Sequence, residues 1–350
     1  MKICWWTYYP TVNHTALLTA LRARGIDVEV CYFQSYDTYR TQMTGWREPE
    51  LAAWEHACSS WAEARRVVPD FEARIQMVPG YSKVLFWQII AHCVWTKRPW
   101  FAMCEGTRGR WVMRPLVKAF SFCVNRWAMR LFALSTQALA QYRQAGVCNG
   151  VRFGYAMSSD WFTPRADEPT GPCRFVFAGA LIDRKAVDVL ASAWRLVQAE
   201  VPGIELRVIG EGPLRSCFDG LAGVTLLGAC PPEAMRAAIA WGDVMVLPSR
   251  YDAWGVALVE GAAQGLALIA SESTGARELI VPRGADGAPT GLCVKTADVA
   301  SLAAALRVYA TDPARARAEG RAAAVAAAWF KADSLADLMI RELRACQMKN

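Results

Sequence analysis

The chain of 350 residues is long enough for two domains of ordinary size. With 54% apolar and 20% charged residues it carries too little charge for a disordered tail or linker. Its formal charge of +7 equals the excess of one segment, 97–130, where Lys97, Arg98, Arg108, Arg110, Arg114, Lys118, Arg126 and Arg130 stand against a single acid, Glu105, which excludes an even basic coat.

The opening stretch predicts one βαβ unit: a strand over 3–8, a helix over 15–24 stopped by Gly25, and a strand over 28–33. Residues 40–80 show no clean repeat, and Trp46, Trp54 and Trp61 are placed on helical segments. Strands are expected at 84–87 and 100–104, then a long basic and aromatic stretch, a strand at 131–134 and a helix over 136–145 begun by a Ser135 cap. Between Thr163 and Pro172 three prolines and a glycine mark an interdomain linker. Beyond it the alternation restarts, with strands at 174–178, 205–209, 224–226, 244–247 and 267–270 and helices at 187–199, 233–240 and 255–264. An alanine-rich helix and a final helical segment from Trp329 to Met348 close the chain. Two doubly wound parallel sheets follow from this order, with ligands expected beyond the carboxyl ends of the strands.

The twelve cysteines stand singly without a C-x-x-C pair, and three histidines, His14, His56 and His92, leave little for a zinc site. Reduced, buried thiols and no metal are therefore expected. The N-terminal residues lack the apolar core and cleavage site of an export signal, and the longest apolar stretch, 84–95, is broken by Gln88 and His92. That stretch is shorter than the roughly 18–20 residues of a membrane span. A cytoplasmic chain is expected.

The stretch most informative about chemistry is 248–265, where Asp252 and Glu260 are separated by seven residues with Gly255 between them. A helix starting near Trp254 or Gly255 would present free amides and its positive dipole end to a diphosphate. Glu260 would then accept hydrogen bonds from ribose hydroxyls, with Asp252 beside the group carried beyond the phosphates. For an isolated acidic pair, a helix cap and a solvated glutamate would be the preferred alternative.

The carboxylate, seven residues and Glu, set in a Gly-containing turn and helix, resemble the signature of the retaining family 4 glycosyltransferases of the GT-B fold (group 1 glycosyl transferases). Four further stretches resemble that family in order and spacing. Phe177-Ala-Gly-Ala-Leu-Ile-Asp-Arg-Lys185 looks like the loop that brings a lysine to the donor diphosphate, and Val208-Ile-Gly-Glu-Gly-Pro-Leu214 like the glycine-rich turn of the nucleotide pocket. Leu227-Gly228 resembles the segment whose backbone meets the base, and 273–280, with Gly275, the stretch after the next strand. The likeness covers about 174–330 well and the N-terminal half in outline.

The resemblance implies an α/β chain of two Rossmann-like doubly wound domains facing a central cleft. It divides the chain into an acceptor-side domain at 1–163, a linker at 164–172, a donor-binding domain at 173–328 and a C-terminal helix at 329–350 that crosses back onto the first domain. It implies Lys185, Asp252 and Glu260 as the catalytic set, and Gly179, Arg184, Gly210, Gly212, Leu227, Gly228, Tyr251, Ala253, Trp254, Gly255 and Val256 as donor contacts. It further implies transfer with retention, no metal, no protein nucleophile and no cofactor beyond a nucleoside diphosphate sugar as donor, UDP-sugar ahead of GDP-sugar. Two departures stand out: Asp252 replaces the usual first Glu, and Ala180 stands where the family commonly has an arginine beside the lysine loop. Arg184 reads either as its substitute or as a surface residue. Sugar-nucleotide epimerase or phosphorylase chemistry on the same fold, and a non-catalytic nucleotide-sugar-binding subunit, are the alternatives.

The N-terminal half is less legible. Asn13 and His14 follow the first strand and read as sugar or phosphate contacts, or, for Asn13, as a helix cap. Glu105, after another strand, reads as a base or hydroxyl-binding residue, or as an ion-pair partner of Arg108 or Arg110. Ten of the fifteen tryptophans precede residue 130, and Trp95, Trp100, Trp111 and Trp127 interleave with the basic segment. That stretch suits a glycan or lipid-linked acceptor, or peripheral contact of segment 95–130 with the inner membrane surface, with core packing for the tryptophans and a solvated face for the arginines as the alternatives. No nucleic-acid module accompanies the charge.

Overall fold

The computed structural model describes residues 1–33, 50–106, 114–162, 171–280 and 287–348. The chain forms two compact units. The first runs to Ser158 and regains the chain from Phe330 onward, and the second spans Ser159–Trp329. Most of the linker expected at 164–172, and the helical segment expected around Trp46, lie outside the described residues.

The first unit is built from β1 (Lys2–Thr7), α1 (Val12–Ala23), β2 (Asp27–Tyr32), β3 (Glu55–Ala57), α2 (Trp61–Val67), β4 (Ile75–Val78), α3 (Val84–Trp95), β5 (Trp100–Cys104), α4 (Arg114–Trp127), β6 (Leu131–Ala133), α5 (Thr136–Gln144) and β7 (Gly150–Arg152). Its seven strands pair in parallel in the order β3-β2-β1-β4-β5-β6-β7. Because such a sheet is covered on both faces, its central strands are apolar along their length. Ile3, Cys4, Trp5 and Trp6 of β1 are all fully buried.

The strand expected at 84–87 is instead the start of α3. Phe86, Ile89, Ile90 and Cys93 form its buried stripe at i, i+3, i+4 and i+7, a helical period that the nearly continuous apolar run conceals. The true neighbour of β1 is β4, four residues long and buried throughout. It is too short to stand out by pattern, as are β3 and β7.

The second unit contains β8 (Arg174–Ala178), α6 (Val187–Glu200), β9 (Glu205–Ile209), β10 (Val224–Gly228), α7 (Pro232–Ala240), β11 (Val244–Leu247), α8 (Val256–Ala263), β12 (Ala267–Ser271), β13 (Gly291–Val294), α9 (Val299–Thr311) and α10 (Pro313–Ala327). These six strands are also parallel, in the order β10-β9-β8-β11-β12-β13. The order reverses between β8 and β11, so the loops leaving their carboxyl ends diverge and open a crevice there. The final helix, α11 (Ala332–Gln347), belongs to the first unit and packs against α1, where Arg24 reaches Asp333 at 2.8 Å and Asp337 at 2.5 Å.

All twelve cysteines are free thiols, and seven are buried; Cys148 and Cys293 are exposed, contrary to a uniformly buried set. Among the described residues no helix is long and apolar enough to cross a membrane.

Candidate functional site

The loops that leave β8 and β11 meet beyond the carboxyl ends of those strands. After β8 the chain turns at Gly179 and enters a single 3-10 turn, Asp183–Lys185. The turn ends at Ala186 in the left-handed region (φ 54°), which redirects the chain into α6. This loop lies backbone to backbone on the turn after β9: the Gly179 N–H donates to the Ile209 carbonyl at 2.9 Å and the Leu181 N–H to the Glu211 carbonyl at 2.8 Å. Gly210 and Gly212 permit that approach. A Cβ on Gly210 would stand 2.1 Å from the Gly179 carbonyl oxygen, and one on Gly212 2.4 Å from that of Leu181. The Gly210 N–H in turn donates to the Gly228 carbonyl at 2.7 Å, so the ends of β8, β9 and β10 meet in one layer of bare backbone. Leu227 beside it is 42% exposed.

The loop after β11 is pinned from two sides. Its Arg250 N–H donates to the Arg184 carbonyl at 2.9 Å. The Arg250 guanidinium holds Asp188 at 2.8 and 2.6 Å and the Asp183 carbonyl at 2.8 Å. Asp252 pairs as an isolated parallel bridge with Thr274, its N–H donating to Ser273 at 3.1 Å and its carbonyl accepting from Gly275 at 3.0 Å. Tyr251 and Ala253 flank it half-exposed, while Trp254 is buried. The Ala253 carbonyl would lie 2.2 Å from a Cβ on Gly275.

Gly255 is the residue immediately before α8 and takes φ 95°, so the helix starts at Val256, which is half-exposed. The cap alternative for Asp252 therefore does not hold.

With these loops fixed, Lys185, Arg184, Asp252 and Glu260 come together. The Lys185 ammonium donates to Asp252 Oδ2, and Arg184 Nη1 lies 3.8 Å from Oδ1 while donating to the Tyr251 carbonyl at 3.0 Å. Arg184 is a surface side chain, 47% exposed, and it also comes within 3.8 Å of the carboxylate that Lys185 holds. Glu260 projects from α8, half-buried; burial pushes its carboxyl up to about 7, and Lys185 opposes that shift. Below neutral pH the cluster holds two cations and one anion beside the positive end of a helix, an arrangement suited to an anionic ligand.

The Asp188–Arg250 pair was not foreseen in the sequence. Arg250 lies within the informative stretch, but its partner is 62 residues earlier, and nothing local signals the pairing.

In the first unit, α1 is capped by Thr11, whose hydroxyl accepts from the His14 N–H at 3.3 Å, and not by Asn13. Asn13 lies in the first turn, with its side chain outside the described residues. His14 sits 3.3 Å from the Thr7 hydroxyl, and burial lowers its ring to about 4, so it is neutral at physiological pH. Among the described residues, the Glu105 carboxylate accepts from the Tyr155 hydroxyl and its carbonyl from the Tyr142 hydroxyl at 3.1 Å. The Tyr155 ring stacks on His14 at 6.2 Å, which links the two expected acceptor-side residues through a tyrosine that carried no sequence signal. Arg108 and Arg110 lie outside the described residues. Ser135 caps α5 as expected.

The family of group 1 glycosyl transferases matches residues 172–312. A glycogen synthase of Mycobacterium tuberculosis is 32% identical over 162 residues, 44% of this chain and 38% of that protein. A GDP-mannose-dependent monoacylated alpha-(1-6)-phosphatidylinositol monomannoside mannosyltransferase of Corynebacterium glutamicum is 32% identical over 163 residues, 43% of this chain and 41% of that protein. The chain thus matches about two fifths of the length of these relatives. Over its whole length it resembles Anabaena HepE solved with UDP, with a TM-score of 0.75 at 15% identity, covering 99% of this chain and 100% of that one. That likeness establishes the GT-B fold.

Proposed function

We propose, on the premise that residues 172–312 form a group 1 glycosyl transferase domain within a GT-B chain, that the protein moves a sugar with retention from a nucleoside diphosphate sugar to a saccharide or lipid-linked saccharide acceptor. The observation that carries the reading is the convergence of Lys185 and Arg184 on Asp252 in front of α8, with Glu260 further along that helix. In the proposed mechanism, breaking the anomeric bond to phosphate places negative charge on the departing diphosphate. Lys185, Arg184 and the first amides of α8 stabilise that charge without a metal.

The diphosphate takes over the cations that pair with Asp252. Asp252 is thereby freed to hold hydroxyls of the donor sugar. Glu260 accepts from the ribose, and the acceptor hydroxyl approaches the face from which the diphosphate leaves. Arg184 supplies the second cation where Ala180 lacks one. HepE was solved with UDP and the corynebacterial relative is GDP-mannose-dependent; we place UDP-sugar first.

The N-terminal unit is proposed to bind the acceptor through His14 and Glu105, at the cytoplasmic membrane face in envelope or exopolysaccharide assembly. The test is a panel of nucleoside diphosphate sugars, with and without chelator, scored for thermal stabilisation and for release of nucleoside diphosphate. One donor is expected to stabilise the chain and to be turned over slowly, with both effects lost in Glu260→Ala. No response to any donor refutes the reading, and binding without release in the presence of acceptor extracts favours the non-catalytic alternative.

A further inference from the structure

Trp95, Phe122 and Trp127 are the exposed tryptophan and phenylalanine side chains among the described residues, at 89%, 62% and 40%, and all three lie on α3 and α4. The two helices cover one face of the first sheet, joined through Phe120, whose ring lies 5.2 Å from Tyr81 and 6.4 Å from Trp87. On α4 the buried side is Val117, Phe120, Ser121 and Val124. The opposite side carries Lys118, Phe122 and Arg126 in one i, i+4, i+8 column, all exposed. Phe122 packs edge to face with Trp127 at 5.6 Å, and the Arg126 guanidinium lies 6.0 Å from the Trp127 ring. No acid occurs in α4. Leu116 on the same helix is 41% exposed, and Trp95 at the end of α3 is followed by Lys97 and Arg98.

Phe122, between two cations on a water-facing helix, stays 62% exposed even though it packs on Trp127. Large exposed aromatic groups of this kind mark a surface that is covered by something else. The absence of acids makes the occupant anionic. A second copy of this face would set Lys118 and Arg126 against their own kind, which disfavours self-association through it.

We infer that the outer face of α4, with Trp95 beside it, docks on an anionic lipid bilayer. Phe122, Trp127 and Leu116 enter the boundary between headgroups and acyl chains, while the stems of Lys118 and Arg126 lie along it with their charges among the lipid phosphates. This assignment needs no sugar transfer and is tested without donor or acceptor.

The full chain is floated with phosphatidylcholine vesicles and with vesicles of mixed phosphatidylglycerol and phosphatidylcholine. The expected result is binding to the mixed vesicles alone. Phe122→Ser and Arg126→Glu should each weaken it about tenfold, while Arg195→Glu, the same charge change at an exposed position of α6 in the other unit, should leave it nearly unaltered. Melting temperatures check that the variants fold, and Phe122→Ala and Arg126→Gln replace any that do not. Equal binding to neutral vesicles, no binding at all, or equal losses for Arg126→Glu and Arg195→Glu would each overturn the assignment.

Discussion

Glu260→Gln is expected to make the protein more stable and less able to bind donor. Burial moves this carboxyl from its ordinary 4.5 to about 7. The folded chain therefore holds a proton that the unfolded chain releases between those values. Since stability rises with pH only where the unfolded state binds more protons, here it falls: the penalty is absent below pH 4.5 and complete above about pH 7. At about 1.4 kcal/mol per decade, it reaches up to about 3 kcal/mol.

Glutamine keeps the shape without the charge. Urea unfolding of both proteins at pH 5 and pH 8 should show little difference at the lower pH and a variant about 2–3 kcal/mol more stable at the higher. The variant should also lose thermal stabilisation by the donor, because an uncharged amide is a weaker acceptor for ribose hydroxyls. An identical stability difference at both pH values would refute the burial argument, and unchanged donor binding would remove Glu260 from the site.

Gly255→Ala should cost about 2–4 kcal/mol in denaturant unfolding, since it forces a side chain into the left-handed region and places a Cβ 2.8 Å from both Leu247 and Thr274; a loss under 1 kcal/mol would contradict the packing described. Lys185→Ala should lower nucleoside diphosphate release about a hundredfold or more, as removal of one oxyanion donor does, and near-normal turnover would exclude Lys185 from leaving-group stabilisation. Burial lowers the His14 ring to about 4, so stability should fall as pH drops from 6.5 towards 4, by up to about 3 kcal/mol. His14→Gln should flatten that limb, and an NMR titration of His14 near 6.5 would contradict it. Arg250→Ala removes a two-pronged grip on Asp188 and a bond to the Asp183 carbonyl, and donor affinity measured by calorimetry should fall about tenfold while Arg250→Lys recovers part of it; equal loss in both would point to a fold defect.

Much of the second unit is legible because its signals are local. Alternating strand and helix patterns, separated by glycine turns, gave β8, β9 and β11 their bounds, and the spacing of Asp252 and Glu260 around Gly255 marks a loop entering a helix. In the first unit the same reading failed at 84–95, where apolar residues are so dense that strand and helix periods overlap. The sheet decides between them: β4 already occupies the place beside β1, and the chain must cross back as a helix to lay β5 next to β4.

What the sequence determined by itself is what short-range geometry encodes: the parallel α/β class, the lysine loop, the acidic pair and the basic segment. The tertiary structure alone decided which distant groups meet. Asp188 finds Arg250, Tyr155 links Glu105 to His14, and Arg184 turns towards Asp252, because within each sheet the strand order brings remote parts of the chain together beyond the carboxyl ends of the strands. The same holds for Phe120 and Phe122, alike in the sequence and two residues apart. The sheet sets the rotation of α4, so one ring is buried in the core and the other is left to the solvent.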